Sequence, residues 1–319
     1  MKHPDLFIIG APKCGTTSLA GYLGERDDVF VCDPKEPHHF SDDIGWHLTP
    51  DRAAYLELFR AAGERHARVC DASVFYLYSD AAVPAILEFS PDARFIVMVR
   101  NPVEMAISMH GEARLDGTED IADVEAAWRA HERDGNAGRP PIMHYREAAK
   151  NGALLQRLFR RVERHRVHVI VFDDFQRDTA AEYRKTLAFL GLPDDGRSAF
   201  PVHNAMKPVK WYRLHKLLVR ARSGLKRLGI DIHGTGLMAF VIRVSGARRA
   251  PVSPAFRRRL AETFAADVDL LGRLLERDLG HWLTREGLAA PERPGVAGTP
   301  PAQCSAAAGE GQLRPGEAP

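Results

Sequence analysis

Three short apolar runs, Leu6–Ile9, Arg94–Val99 and Val167–Phe172, stand out along the chain, with a weaker fourth at Val69–Asp71. Each is nearly continuous rather than alternating, the pattern of a strand buried on both faces. Between them lie stretches of helical character: Ser18–Leu23, Asp51–Ala62, Asp80–Phe89, Ile121–Arg133, Ala149–Arg164 and Thr179–Leu190. Residues 253–285 predict a terminal helix pair, opened by Ser253-Pro254 and carrying Leu260, Phe264, Val268, Leu271 and Leu275 at helical spacing. Strands alternating with helices predict an α/β fold, a P-loop-like three-layer sandwich with a central parallel sheet flanked by helices. From Ala289 the composition turns to Pro, Gly, Ala and Ser. The chain therefore reads as one domain over 1–288 and a disordered tail over 289–319 that cannot bury a core.

Composition changes this picture little. The chain has 319 residues, 45% hydrophobic and 27% charged, with a formal net charge of +2. These are ordinary values for a globular protein, and the total charge suggests no nucleic-acid partner. The charge is uneven, however. Residues 207–249 are rich in Lys and Arg, with Asp231 the acidic exception. That stretch suits an acidic ligand, a peripheral membrane contact or a solvated helix face. The four cysteines, Cys14, Cys32, Cys70 and Cys304, form no C-x-x-C pair. Their scatter reads as reduced thiols in a cytoplasmic protein rather than a metal or redox motif. No secretory leader and no apolar span of about 18 residues is found, so no transmembrane segment is expected.

The first strand runs into Gly10-Ala11-Pro12-Lys13-Cys14-Gly15-Thr16-Thr17-Ser18. A buried strand, a glycine-bounded loop and a helix start make an anion site from backbone N–H groups and the helix dipole. Gly10 and Gly15 have the spacing of a nucleotide-triphosphate loop, but Thr16 stands where that loop needs Lys. The loop's lysine is Lys13. A second cluster follows the Arg94–Val99 strand. Arg100 sits at its carboxyl end, Pro102 opens the next helix, and Ser108 falls two turns along. Arg with a reachable hydroxyl makes a phosphate clamp, although Arg100 paired with Glu104 is the plainer alternative. Asp173-Asp174 reads as a cation ligand or, more simply, a cap. Ser73 and Tyr76 follow a strand end and can line a pocket, and Trp46 and Trp282 read as core. Trp211 and Tyr212 suit an acceptor lid or a surface helix.

Together, Lys13-x-Gly15-Thr16-Thr17 and the Arg100-Asn101-Pro102 strand end with Ser108 resemble the sulfotransferase family. The similarity covers roughly residues 5–285. It implies the donor 3′-phosphoadenosine-5′-phosphosulfate (PAPS), with adenosine 3′,5′-bisphosphate as product and no metal. Lys13, Cys14, Gly15, Thr16, Thr17 and Ser18 would hold the 5′-phosphosulfate, and Arg100 and Ser108 the 3′-phosphate. Lys35-Glu36-Pro37-His38-His39-Phe40 is similar to the base segment of the heparan-sulfate-type branch. That implies Glu36 as general base, with His38 as the second candidate. Phe189-Leu190-Gly191-Leu192-Pro193 and the 274–283 stretch resemble late family segments. Departures lie at Ser41, at Ala72 and Val74 in the segment after Cys70-Asp71, and at Met105. They detach the acidic polysaccharide acceptor from the resemblance.

The expected reaction is in-line sulfuryl transfer to a hydroxyl or amine of a small-molecule, lipid or saccharide acceptor. Lys13 and fixed dipoles would neutralise the leaving phosphate oxygen. A P-loop kinase of a small metabolite and a non-catalytic nucleotide-binding or membrane-surface module are the alternatives. The residues leave the acceptor and the oligomeric state open.

Overall fold

The computed structural model describes residues 2–45, 49, 51–201, 251–284 and 287. The basic stretch 207–249 with Trp211 and Tyr212, Trp46, and the 289–319 tail with Cys304 lie outside these residues.

Five parallel strands form one sheet: β1 (Leu6–Gly10), β2 (Val29–Val31), β3 (Arg68–Asp71), β4 (Arg94–Val99) and β5 (Val167–Val171). Their order is β2-β3-β1-β4-β5. All residues of β1 are buried, as are those of β4 after Arg94. Successive side chains of a strand point to opposite faces, so strands buried at every position are covered on both sides. The helices supply that cover, in the α/β arrangement the apolar runs predict.

Helix α1 (Thr16–Gly24) joins β1 to β2, α2 (Arg52–Glu57) lies between β2 and β3, and α3 (Ala82–Phe89) between β3 and β4. Four helices, α4 (Pro102–Leu115), α5 (Val124–Asp134), α6 (Tyr145–Ala148) and α7 (Asn151–Phe159), lie between β4 and β5. Then come α8 (Phe172–Arg177), α9 (Thr179–Leu190) and α10 (Pro254–Leu275). From β1 the chain crosses toward β2 on one side of the sheet; from β4 it crosses toward β5 on the other. The two connections diverge, which makes the carboxyl ends of β1 and β4 the topological switch point of the sheet, the place where open α/β sheets bind ligands.

Several boundaries move from their sequence positions for local reasons. The carboxylates of Asp51 and Asp123 accept the Ala54 and Ala126 N–H groups, so they cap α2 and α5 from outside, while α9, capped likewise by Asp178, keeps its expected bounds Thr179–Leu190. Strand β2 has no counterpart among the apolar runs. It is three residues at the sheet edge, two of them only half-buried. Phe172 ends the third run in sequence but begins α8, whose first turn carries Asp173 and Asp174 where the helix dipole favours acid.

The predicted helix pair over 253–285 is one long helix, α10, followed by a 3-10 turn at Gly280–Leu283. Glu276, at φ 52°, turns the chain out of the helix. Polar anchors then hold the return in place of a second apolar face. Arg277 pairs with Asp174. The Trp282 indole, 1% exposed, donates to Asp173 at 2.6 Å. Asp173 and Asp174 are thus engaged in anchoring, and Trp282 is core.

Helix α7 meets α10 with almost no gap. The Asp267 carboxylate accepts the Gly152 and Ala153 N–H groups at 2.9 and 2.8 Å, and a Cβ on Gly152 would stand 2.3 Å from the Asp267 carbonyl oxygen. Gly152→Ala should therefore destabilise the fold by about 1–3 kcal/mol through overpacking, read as a lower denaturant midpoint at unchanged slope. Gly63→Ala, where nothing lies within 4 Å, should stay within about 0.5 kcal/mol of the parent.

Candidate active site

The loop leaving β1 stays tied to β4, the Ala11 N–H donating to the Met98 carbonyl at 2.7 Å. It then turns through Lys13, at φ 63°, and Gly15, at φ 90°. Glycine is required at position 15 on two counts. Its φ is unfavourable to L side chains, and a Cβ there would stand 2.8 Å from the Phe172 ring. Gly15 caps α1 without any side-chain acceptor, and the first turn has no acidic residue. The positive end of α1 therefore has no acidic side chain in its own first turn to offset it.

Arg100 closes the other side. Its guanidinium donates to the Lys13 carbonyl at 3.0 Å and lies 4.8 Å from the Phe172 ring centroid. Asn151 donates to the Arg100 carbonyl at 3.2 Å. Glu104, the alternative partner for Arg100 in the sequence, pairs instead with Arg257 of α10. Ser108 is buried on α4, two turns beyond Arg100. The Cys14 thiol points inward, 4.0 Å from the Met105 sulfur, and burial pushes it up to about 12 against the pull of Arg100 and Lys13. The thiol is neutral, and only the backbone of Cys14 is available to a ligand.

The second half of the site is the turn after β2. Glu36 and His38 both take left-handed backbone conformations, at φ 67° and 51°, a strain of about 1–2 kcal/mol for each. Glu36 is 31% exposed, whereas His38 is 1% exposed. Of the two, only Glu36 keeps solvent contact. Its carboxylate pairs with Lys35 and meets His38 Nε2 at 3.4 Å. Burial works to raise this carboxyl, but His38 and Lys35 outweigh it and hold it at about 2.

Asp71, fully buried at the end of β3, secures the turn. It accepts hydroxyls from Ser73 at 2.7 Å, Tyr55 at 2.9 Å and Tyr76 at 3.0 Å. Ser73 in turn accepts the His38 N–H at 3.1 Å, and Tyr76 accepts the Phe40 N–H at 3.4 Å. Burial raises the Asp71 carboxyl, with those three hydroxyls opposing it. Ser73 and Tyr76, read as pocket lining, thus lie beneath the turn and hold it.

Two acidic residues at the end of α4 escaped the sequence reading. Glu112 Oε2 lies 2.7 Å from Lys13 Nζ. Asp116, one residue past α4, keeps an exposed surface, yet its carboxyl is raised, partial loss of solvent coming first and Glu112 next, with Lys13 opposing and Glu36 adding to the rise. Lys13 of the first loop and Glu36 of the second thus both act on the Asp116 carboxyl. The signal available in the sequence was the four-residue spacing of Ser108, Glu112 and Asp116. Among the described residues, no group of three His, Cys, Asp or Glu side chains is placed to hold a metal.

Residues 34–196 match the profile of the sulfotransferase family. That span holds Glu36, His38, Arg100, Ser108 and Glu112, and Lys13 precedes it. The membrane-associated sulfotransferase kil1 of Dictyostelium discoideum is 26% identical over 111 residues, 34% of this chain and 22% of that protein. The match thus spans about a fifth of the curated relative. The crystal structure of a sulfotransferase from Alicyclobacillus acidocaldarius superposes with a TM-score of 0.67 at 26% identity, covering 89% of this chain and 100% of that one.

The depressed Glu36 carboxyl yields a test. In carbon-detected NMR titration it should titrate near 2, and in His38→Leu it should rise toward the ordinary 4.5. Because the folded value lies below the unfolded one, its contribution to stability is present above 4.5 and is lost as pH falls through 2. The variant should lose that contribution at higher pH than the parent. An unchanged titration would remove His38 as the cause.

Proposed function

The chain belongs to the sulfotransferase family, and we propose that it transfers a sulfuryl group from PAPS to a hydroxyl or amine of a small-molecule, lipid or saccharide acceptor. Adenosine 3′,5′-bisphosphate is the product released. What supports this reading is the N-terminus of α1 without a side-chain cap, the bond from Arg100 to the Lys13 carbonyl beside it, and a partly exposed Glu36 carboxylate.

In this reading the Gly15–Ser18 amides and hydroxyls take the 5′-phosphosulfate at the positive end of α1. Arg100 and Ser108 take the 3′-phosphate, a forked donor matching a doubly charged group. Lys13 offsets charge on the bridging oxygen as the bond from sulfur to the leaving phosphate breaks. Glu36 receives the proton of the acceptor. A carboxylate held near 2 is ionised at any physiological pH and is only weakly basic. It therefore suits a proton that moves late, after the acceptor atom has begun to bond to sulfur and has become acidic. His38 is buried and acts on Glu36 as a positioning residue. Thr16, in place of the lysine of a triphosphate loop, and membership of the family both favour this reading over a kinase. Cys14, Cys32 and Cys70 are free and buried, and a cytoplasmic setting remains part of this proposal. No helix among the described residues is long and apolar enough to cross a membrane.

Two measurements test the reading. Adenosine 3′,5′-bisphosphate should bind the protein in calorimetry, and absence of binding would end the PAPS assignment. With sulfur-labelled PAPS and a panel of hydroxylated and aminated acceptors, Glu36→Gln should lower turnover by about 10²–10⁴-fold at unchanged nucleotide affinity. Turnover at the parent rate would place the base elsewhere.

A further inference from the structure

Helix α4 carries Glu104, Ser108 and Glu112 at intervals of four residues, one above the other on a single face. The outer two are carboxylates, and each is matched by a cation from elsewhere in the chain. Arg257 of α10 takes Glu104. Lys13, 99 residues away in sequence, takes Glu112 at 2.7 Å. The lysine's direction is set by its own backbone, left-handed at φ 63° and pinned by Arg100 on its carbonyl. Its ammonium is thus delivered to Glu112 and to the rim of the α1 N-terminus by the same turn.

Both side chains of this pair keep part of their solvent contact, 22% for Lys13 and 34% for Glu112. A pair so exposed biases an equilibrium by at most about fivefold, since water competes well for both charges. A doubly anchored phosphate at a helix N-terminus makes stronger, charge-assisted bonds. The carboxylate can therefore be displaced by such a ligand, but a lone small anion would gain little over it.

We propose that Glu112 is a positioning residue for sulfuryl transfer. It holds Lys13 as a counter-ion and is exchanged for the phosphosulfate of the donor on binding, which favours the nucleotide over free inorganic anions. This inference rests on the reading of Lys13 as a donor ligand. The exchange links binding to charge at a defined point. Lys13 leaves Glu112 for the donor phosphate, and Glu112 is left beside Asp116, to whose carboxyl it adds repulsion.

The experiment is calorimetric titration of the full chain with adenosine 3′,5′-bisphosphate, and separately with inorganic sulfate. It compares the parent with Glu112→Gln, Glu112→Asp, Lys13→Met and the Lys13→Met/Glu112→Gln double variant, each checked for an unchanged melting curve. Glu112→Gln should tighten nucleotide binding by about threefold to fivefold and let sulfate compete at lower concentration. Glu112→Asp, which keeps the carboxylate, should lie close to the parent. In the Lys13→Met background the Glu112→Gln gain should vanish. An equal gain in that background would mean that Glu112 acts only as a distant charge, and no gain in either would mean that it restrains nothing; each result overturns the proposal. If the parent itself fails to bind the nucleotide, the PAPS reading fails first and this inference falls with it. Binding by the parent without any Glu112 effect overturns this inference alone.

Discussion

The divergence of two crossovers is the constraint on which the rest of this molecule depends. Strands β1 and β4 are neighbours in the sheet, yet the chain leaves them for opposite sides. Their carboxyl ends thus form the switch point of the sheet, and parallel strands leave their last backbone groups there. That rim is occupied economically. The Ala11 N–H holds the first loop to β4, Gly15 has no side chain because Phe172 is already there, and Arg100 bridges to the loop's carbonyl. Each contact makes the next possible. A larger residue at position 15 would move Phe172, and with it the ring beneath Arg100.

A second constraint works through a buried charge. Asp71 lies where a carboxylate is costly unless it is fully hydrogen-bonded, and three hydroxyls meet that need. Two of the same hydroxyl oxygens accept backbone N–H groups of the Glu36 turn. The cost of the buried acid and the strain of two left-handed residues are thus met in one network. A turn carrying this much strain persists only where its surroundings over-determine it, and such turns concentrate where a side chain must be held for chemistry. Here the turn carries Glu36, whose carboxylate meets His38 and Lys35.

How much of this was legible in the sequence depended on range. The buried strands were legible because burial on both faces leaves continuous apolar runs, and β2 was not, because three residues at an edge, two of them half-buried, leave no pattern. The loop around Lys13 and the strand end at Arg100 stood out as residue types with chemical purpose. Their partners did not. Nothing near Lys13 in the chain points to Glu112, and nothing near Arg100 points to Phe172, since those contacts span 99 and 72 residues. The pair Glu36 and His38 gave two candidate bases two residues apart. Solvent exposure separates them, and exposure is a property of the packed structure.

The sequence by itself determined the local features of this protein: the buried strands, a glycine-bounded loop with a lysine between the first strand and its helix, and an arginine after the β4 strand. Those follow from short-range rules, hydrophobic periodicity and backbone sterics, that act within a few residues. Only the tertiary structure decided which charges meet. Packing assigned Glu104 to Arg257 rather than Arg100, turned the Cys14 thiol inward, set Asp71 beneath the Glu36 turn and brought Glu112 to Lys13. The physical reason is that a charge's behaviour is set by what surrounds it within a few ångströms, and in a parallel α/β fold those neighbours arrive from distant parts of the chain.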